Sequence, residues 1–210
     1  MIDLYTAATP NGYKVSILLE ELQLPYHVFP VNLMQREQKQ EDFLALNPNG
    51  RIPVIVDHEN DQLPVFESGA ILVYLAEKTG KYLPEEMKGR SQVMQWLMFQ
   101  MGHVGPMLGQ THHFVKFNPG KSPYAEERYK NENIRLYKVL NKRLKEREFI
   151  CEDYSIVDIA TWPWISRYEF QQMDLNDYPS LKAWYMRIAS RPAVQRGYAV
   201  PLDQPVPLPE

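Results

Sequence analysis

The feature that most constrains this chain is a change of pattern near Pro84. Before it, short apolar runs alternate with short amphipathic stretches; after it, only long helical periodicities remain. Ile2 to Ala7 reads as a strand. Thr9-Pro10 then reads as a helix start, with Thr as the cap and Pro in the first turn. Val15, Leu18, Leu19 and Leu22 follow at i, i+3, i+4, i+7 and make one apolar face. Tyr26 to Val31 is a second strand, and Asp42 to Leu46 a short helix. Ile52 to Val56 is a β-branched run with a proline inside it, and Leu63 to Phe66 a fourth strand. Ser68 is expected to cap a helix running to about Thr79. The order β-α-β-α-β-β-α over residues 1–81 implies a small α/β domain with a mixed sheet.

From 87 to 210 the expectation is an all-helical bundle. Its helices run about Glu85 to His113, Tyr124 to Glu146, Ser155 to Gln172 and Pro179 to Ser190, after a linker from Lys81 to Glu86. Pro106 and Pro163 each remove a backbone donor inside a helix and should kink it. The prolines of the tail from 197 to 210 suggest an extended strip on the surface or disorder. Tyr154-Ser155-Ile156-Val157-Asp158-Ile159 has the form of a capping box with a hydrophobic staple, a folding signal and not chemistry.

The 210 residues allow one large domain or two small ones, and a chain of this length buries roughly 70% of its unfolded surface without a staple. Lys and Arg number 23 and Asp and Glu 26, a net charge of −3. That balance leaves no excess to neutralise phosphates, so nucleic acid is excluded as a partner class. No apolar stretch approaches the ~20 residues of a membrane span. Met1-Ile2-Asp3 opens without a basic region, so no signal peptide is expected. With Cys151 as the single cysteine, no internal disulfide framework is possible, and a reducing cytoplasm is the expected compartment.

Four motifs in order, over nearly the whole chain, resemble the cytosolic glutathione transferases. Leu4-Tyr5, Thr9-Pro10 and Lys14-Val15 resemble the start of that family's thioredoxin-like domain. Asn47-Pro48-Asn49-Gly50-Arg51-Ile52-Pro53-Val54 resembles its loop bearing a cis-proline. Phe66-Glu67-Ser68-Gly69-Ala70-Ile71 resembles its Glu-Ser turn. Tyr178-Pro179, Leu181, Trp184, Arg187-Ile188 and Arg191-Pro192-Ala193-Val194 resemble its last helix. Within the family, Thr9-Pro10-Asn11-Gly12, Gln95-Trp96-Leu97 and Gly105-Pro106-Met107-Leu108-Gly109-Gln110 are similar to the bacterial nu-class enzymes, which are glutathione-dependent disulfide-bond oxidoreductases.

The resemblance implies glutathione as cosubstrate, with no metal, and a homodimer. A free thiol with pKa near 8.5 is only about a tenth ionised at pH 7.5, and lowering that pKa by ~2 units needs ~2.7 kcal/mol of preference for the anion. Thr9 and Asn11, at the start of the first helix, would supply it: backbone N–H groups there lack partners and the dipole favours negative charge. The alternative reading makes Thr9 only a cap and Asn11 a turn residue, and both readings can hold at once. Where thioredoxin-like reductases carry Cys-Pro-x-Cys, this chain has Thr9-Pro10-Asn11-Gly12. It also lacks the Cys or Ser that beta-class or theta-like enzymes would place at position 9. The attacking sulfur must then come from glutathione, and a second glutathione could resolve the mixed disulfide. Tyr5 sits within a strand and reads as structural.

The rest of the implied pocket is Ile52 and Pro53, pairing with the cysteinyl backbone of the ligand; Glu67 and Ser68, receiving the γ-glutamyl amine and carboxylate; and Gln38 and Arg51 near the glycyl end. Gln95 matches a glutamine of the same pocket. Arg128 matches an arginine that reaches the neighbouring subunit's ligand, or else is one half of a surface pair with Glu127 or Glu132. Small disulfides are the expected substrates, with organic peroxides possible and conjugation weak. Two other readings stay open: a conventional conjugating transferase, and a non-catalytic glutathione-binding regulator on the same fold. His112-His113 lacks the cluster a metal needs.

Overall fold

A computed structural model of the chain describes residues 1–209. They form two compact units, Met1–Lys81 with Ser190–Val206, and Tyr82–Ala189 with residues 207–209.

The first unit is built on a mixed sheet of four strands, β1 (Ile2–Thr6), β2 (Tyr26–Pro30), β3 (Val54–Asp57) and β4 (Leu63–Phe66), in the order β2-β1-β3-β4. β2 runs parallel to β1, while β3 and β4 are antiparallel to their neighbours, with Leu4 opposite both Val28 and Ile55. The parallel pair needs a crossover, which α1 (Pro10–Leu22) supplies; α2 (Glu41–Leu46) and α3 (Ser68–Thr79) complete βαβαββα. This is the α/β architecture the alternation implies. Val31, Phe43 and Val54 form a small core with Tyr5, Leu33, Leu46 and Ile52 packed on it. Tyr5 stacks on Phe29 with ring centroids 4.8 Å apart, a packing role.

Gly12 lets α1 start tight against the preceding loop: a Cβ there would stand 2.3 Å from the Ala7 carbonyl oxygen. α1 is buried almost all round, Tyr13 to Leu19 without a break. Part of its cover comes from far along the chain. Residues 190–206, grouped on sequence grounds with the helical domain, cluster with the first unit. α9 (Pro192–Tyr198) lies against α1 so closely that a Cβ on Gly197 would meet Ile17 Cα at 2.5 Å, and Ser16 Oγ donates to Gly197 O at 2.6 Å. Arg191 grips Glu21 through both carboxylate oxygens, at 2.6 and 2.9 Å, and Arg196 holds Glu20 at 2.6 Å. The tail then runs extended, Gln204 donating to the Tyr13 hydroxyl.

The second unit is helical: α4 (Met87–Phe99), α5 (Gly105–Thr111), α6 (Pro123–Arg143), α7 (Ile156–Ile165) and α8 (Pro179–Ala189). The long helix expected from 85 to 113 is instead a run in four pieces, with widened turns at Gln100–Val104 and His112–Phe117. Pro106 has no N–H to continue the ladder, and just ahead of it the Gly105 N–H reaches five residues back to Gln100 O. α7 ends at Ile165, short of the expected Gln172, two residues after Pro163, and the chain continues in a tight turn at Tyr168–Gln171.

The capping box forms. Asp158 accepts from Ser155 N at 3.1 Å, Ile150 N at 3.0 Å and Trp184 Nε1 at 2.8 Å, all buried. Tyr154 packs edge-on against Tyr82 and tilted on Phe149. A second buried network joins Tyr137 Oη to Gln171 Oε1 at 2.5 Å and Gln171 Nε2 to Trp164 O at 2.8 Å. His112 stacks on Trp164, and burial pushes its imidazole down to about 4, so it packs as a neutral ring. Among the described residues no helix is long and apolar enough to cross a membrane.

Candidate active site

The sequence-predicted residues of the first unit gather around two helix N-termini and one loop. At α1, Thr9 is the cap, extended at φ −132°, ψ 159°, and its Oγ1 accepts from Gly12 N at 3.2 Å. Pro10 brings no N–H, so Asn11 carries the first amide of the helix. No acidic residue sits in the first turn. The Thr9 hydroxyl spends a lone pair on the cap and keeps its proton for another acceptor. The two roles left open for Thr9 are therefore compatible.

At α3, Ser68 was expected as the cap. Glu67 holds that position instead, at φ 67°, ψ 115°, with no side-chain bond to the first turn, and Ser68 is the first helical residue. The reason is local: the backbone turns sharply out of β4, and Glu67 takes a positive φ rare for a residue with a Cβ. Such conformations concentrate at functional sites. Glu67 is exposed and Ser68 buried. This helix too has no acidic residue in its first turn, so both N-termini present amides and dipole without an internal anion.

The loop between α2 and β3 joins them. Asn47 organises it, donating to Arg51 O at 2.7 Å and accepting from Asn49 N at 3.0 Å. Asn49 Nδ2 donates to Glu67 Oε1 at 3.4 Å, tying the loop to the Glu-Ser turn. The Ile52–Pro53 peptide is cis, and Ile52 precedes the ladder, which begins at Val54. Arg51 is exposed. Gln38 lies in a short turn before α2 with its Oε1 buried and without a hydrogen-bond partner.

Sequence reading missed Lys14. It is 1% exposed, and its Nζ donates to Ser68 Oγ at 3.3 Å. Burial pushes its ammonium down to about 7, against the field of Glu67, which favours the charge. The signal was available: Lys14 stands four residues before Leu18, on the apolar face.

Gln95 and Arg128 belong to the helical unit. Gln95 is exposed, bonded to Ser91 Oγ at 3.1 Å. Arg128 lines a cleft of about 640 Å³ with Met107, Tyr124 and Arg135. The alternative pairing of Arg128 with Glu132 does not form, because Glu132 is taken by Arg135 at 2.6 Å. Cys151 is buried, and burial together with nearby Asp158 pushes its thiol up to about 11. No cluster of His, Cys, Asp or Glu suited to a metal occurs among the described residues.

A thioredoxin-like α/β unit with anion-ready helix ends, joined in sequence to a helical domain, defines a class of peptide-thiol enzymes. The chain belongs to the glutathione transferase family: residues 1–77 match the model of the glutathione S-transferase N-terminal domain and residues 104–192 that of the C-terminal domain. It is 51% identical over 198 residues to the disulfide-bond oxidoreductase YfcG of Escherichia coli, covering 92% of each chain. A glutathione transferase from Burkholderia graminis, solved with two glutathione molecules bound per subunit, is similar at 43% identity and TM-score 0.89, over 97% of this chain and 89% of that one. Another from Pseudomonas putida, holding one glutathione disulfide per subunit, is similar at 40% identity and TM-score 0.88, over 95% and 91%.

Proposed function

We propose that this protein is a glutathione-dependent thiol–disulfide oxidoreductase of nu-class type, acting as a cytoplasmic homodimer. The observation that carries the reading is the first turn of α1. It offers donors and dipole to an anion, carries no acid of its own, and has Thr9 and Gly12 where a self-contained reductase would carry thiols.

In this reading Thr9 Oγ1 and the Asn11 N–H hold glutathione's sulfur as thiolate. Charge-assisted bonds contribute ~1.5–3 kcal/mol each, enough for the ~2.7 kcal/mol that a two-unit shift requires. Ser68 receives the γ-glutamyl carboxylate and Glu67 the amine. Ile52 pairs with the cysteinyl backbone beside Pro53. The buried Gln38 Oε1 accepts from the glycyl N–H, and Arg51 meets the terminal carboxylate. Arg128 reaches the partner subunit's ligand.

The bound thiolate attacks one sulfur of a small disulfide, forming a glutathione mixed disulfide and expelling the other sulfur as thiolate. A second glutathione thiolate attacks the glutathionyl sulfur, releasing glutathione disulfide and the remaining thiolate. Two glutathiones are oxidised and one disulfide is reduced. The similar structures that hold two glutathiones, or one glutathione disulfide, per subunit suit that stoichiometry.

The test is reduction of a small disulfide by glutathione, with ultraviolet titration of the bound thiol. Thr9→Ala should raise the thiol pKa by about one to two units and lower kcat/KM about 10- to 100-fold; Thr9→Ser should keep both near wild type. Unchanged turnover in Thr9→Ala would remove the assigned role.

A further inference from the structure

The site's least expected component is the lysine behind it. Lys14, on α1, and Ser68, the first residue of α3, are both buried, and the ammonium nitrogen lies 3.3 Å from the hydroxyl oxygen. An ammonium has three donors and no acceptor. Its bond to Ser68 therefore uses a lone pair of the hydroxyl oxygen and turns the hydroxyl proton away from the ammonium.

We propose that Lys14 is a positioning residue for glutathione: it orients the Ser68 hydroxyl as a donor to the γ-glutamyl carboxylate and adds a buried positive charge behind it, so that binding the carboxylate is coupled to protonation of Lys14. This rests on the reading of Ser68 as the carboxylate's receiver. Lys14 never touches the ligand; it acts through Ser68.

The electrostatic surroundings support the coupling. Glu67 is the charged group whose field reaches Lys14, and burial opposes that field. On α3 the other titratable groups are committed elsewhere: Tyr74 and Lys78 both bond Asp57, at 2.6 Å each, and Glu77 lies near the far end of the helix. On α9, Arg191 and Arg196 are held by Glu21 and Glu20, and Tyr198 packs on Tyr13. On β1, Asp3 faces His58 at 2.8 Å and Tyr5 faces Phe29. The amine is thus divided between charged and neutral forms near neutrality, and a carboxylate arriving on Ser68 shifts the balance to the charged form.

The experiment compares wild type, Lys14→Met, Ser68→Ala and the double variant by calorimetry at pH 7.5. The ligands are S-methylglutathione, which removes the thiol's own proton, and its analogue lacking the γ-glutamyl carboxylate. Lys14→Met should weaken S-methylglutathione about 10- to 100-fold and the analogue less than about 3-fold. In the Ser68→Ala background the same change should cost less than about 3-fold. Wild type should take up a fraction of a proton on binding S-methylglutathione, read in two buffers of different ionisation enthalpy, and Lys14→Met none. In disulfide reduction KM for glutathione should rise with kcat nearly constant. Equal weakening of both ligands, or proton uptake that survives Lys14→Met, overturns the proposal. Wild type binding neither peptide overturns the proposed function, and this inference with it.

Discussion

Two helices of this protein begin with a hydroxyl residue in an extended cap, and they end up as opposite environments. At α7, Ser155 is followed three positions later by Asp158, whose carboxylate collects Ser155 N, Ile150 N and the Trp184 indole N–H. At α1, Thr9 is followed three positions later by Gly12, which has no side chain to place there and cannot acquire one against the Ala7 carbonyl. The first end is closed by its own anion. The second carries no acid in its first turn, and the proposed function assigns its dipole and donors to an anion from outside. A helix N-terminus is thus an anion site only when the sequence withholds the acid that would otherwise fill it.

The largest effect should come from opening the closed end. Asp158→Ala leaves three buried donors without an acceptor, at ~1–3 kcal/mol each, so urea unfolding at pH 7 should show a loss of at least ~3 kcal/mol. A loss below ~1 kcal/mol would mean that the α7 start is not closed by its acid.

The same carboxyl should also make stability depend on pH. Burial raises Asp158 to about 6, against the hydrogen bonds that pull it down, from an ordinary value of 3.8. The folded state therefore binds this proton more tightly than the unfolded state. Its contribution is complete below about pH 4 and lost as pH rises through 6, a decline of up to ~3 kcal/mol. Asp158→Asn should flatten the profile over that window; an unaltered slope would assign it to other groups.

Filling the open end should be a smaller change, with opposite signs in stability and activity. Asn11→Asp places a carboxylate in the first turn of α1. The dipole should return ~0.3–1 kcal/mol of stability. The new charge should raise the bound thiol's pKa by about a unit and lower disulfide reduction at neutral pH about tenfold. A variant both more stable and fully active would show that the thiolate lies elsewhere.

What the sequence revealed of this arrangement followed from local rules. Thr9-Pro10 and Ser155 with Asp158 are signals contained within four residues, and strand alternation fixed β1 to β4 to within about two residues of their ends. The misses depended on contacts distant in sequence. Residues 190–206 join the first unit because Glu20 and Glu21, some 170 positions earlier, hold two arginines of α9. The widened turn before α5 reflects where the donor missing at Pro106 is made up, which hydrophobic spacing does not encode. At the candidate site, Thr9, Glu67 and Ser68 were legible through a family likeness. Gln38 was named by the same likeness, but the burial of its oxygen was not legible, nor was the Lys14 ammonium, because a polar side chain is read as exposed until a fold covers it.

The smallest expected effect is the sharpest check on the comparison. Cys151 lies beside the closed end, with Asp158 acting on it, and burial first and that carboxylate second push its thiol up to about 11. A helix start that has used its donors does nothing for a thiol nearby, whereas the open start of α1 is expected to ionise one. Cys151 should therefore react with a thiol-specific chromogenic disulfide only on unfolding, and Cys151→Ser should leave disulfide reduction within about twofold of wild type. Asp158→Asn removes the carboxylate but not the burial, so any folded Asp158→Asn protein should still shield the thiol. Rapid labelling of the native wild type, or loss of turnover in Cys151→Ser, would mean that the protein's own sulfur takes part and that the two helix ends do not divide the chemistry in this way.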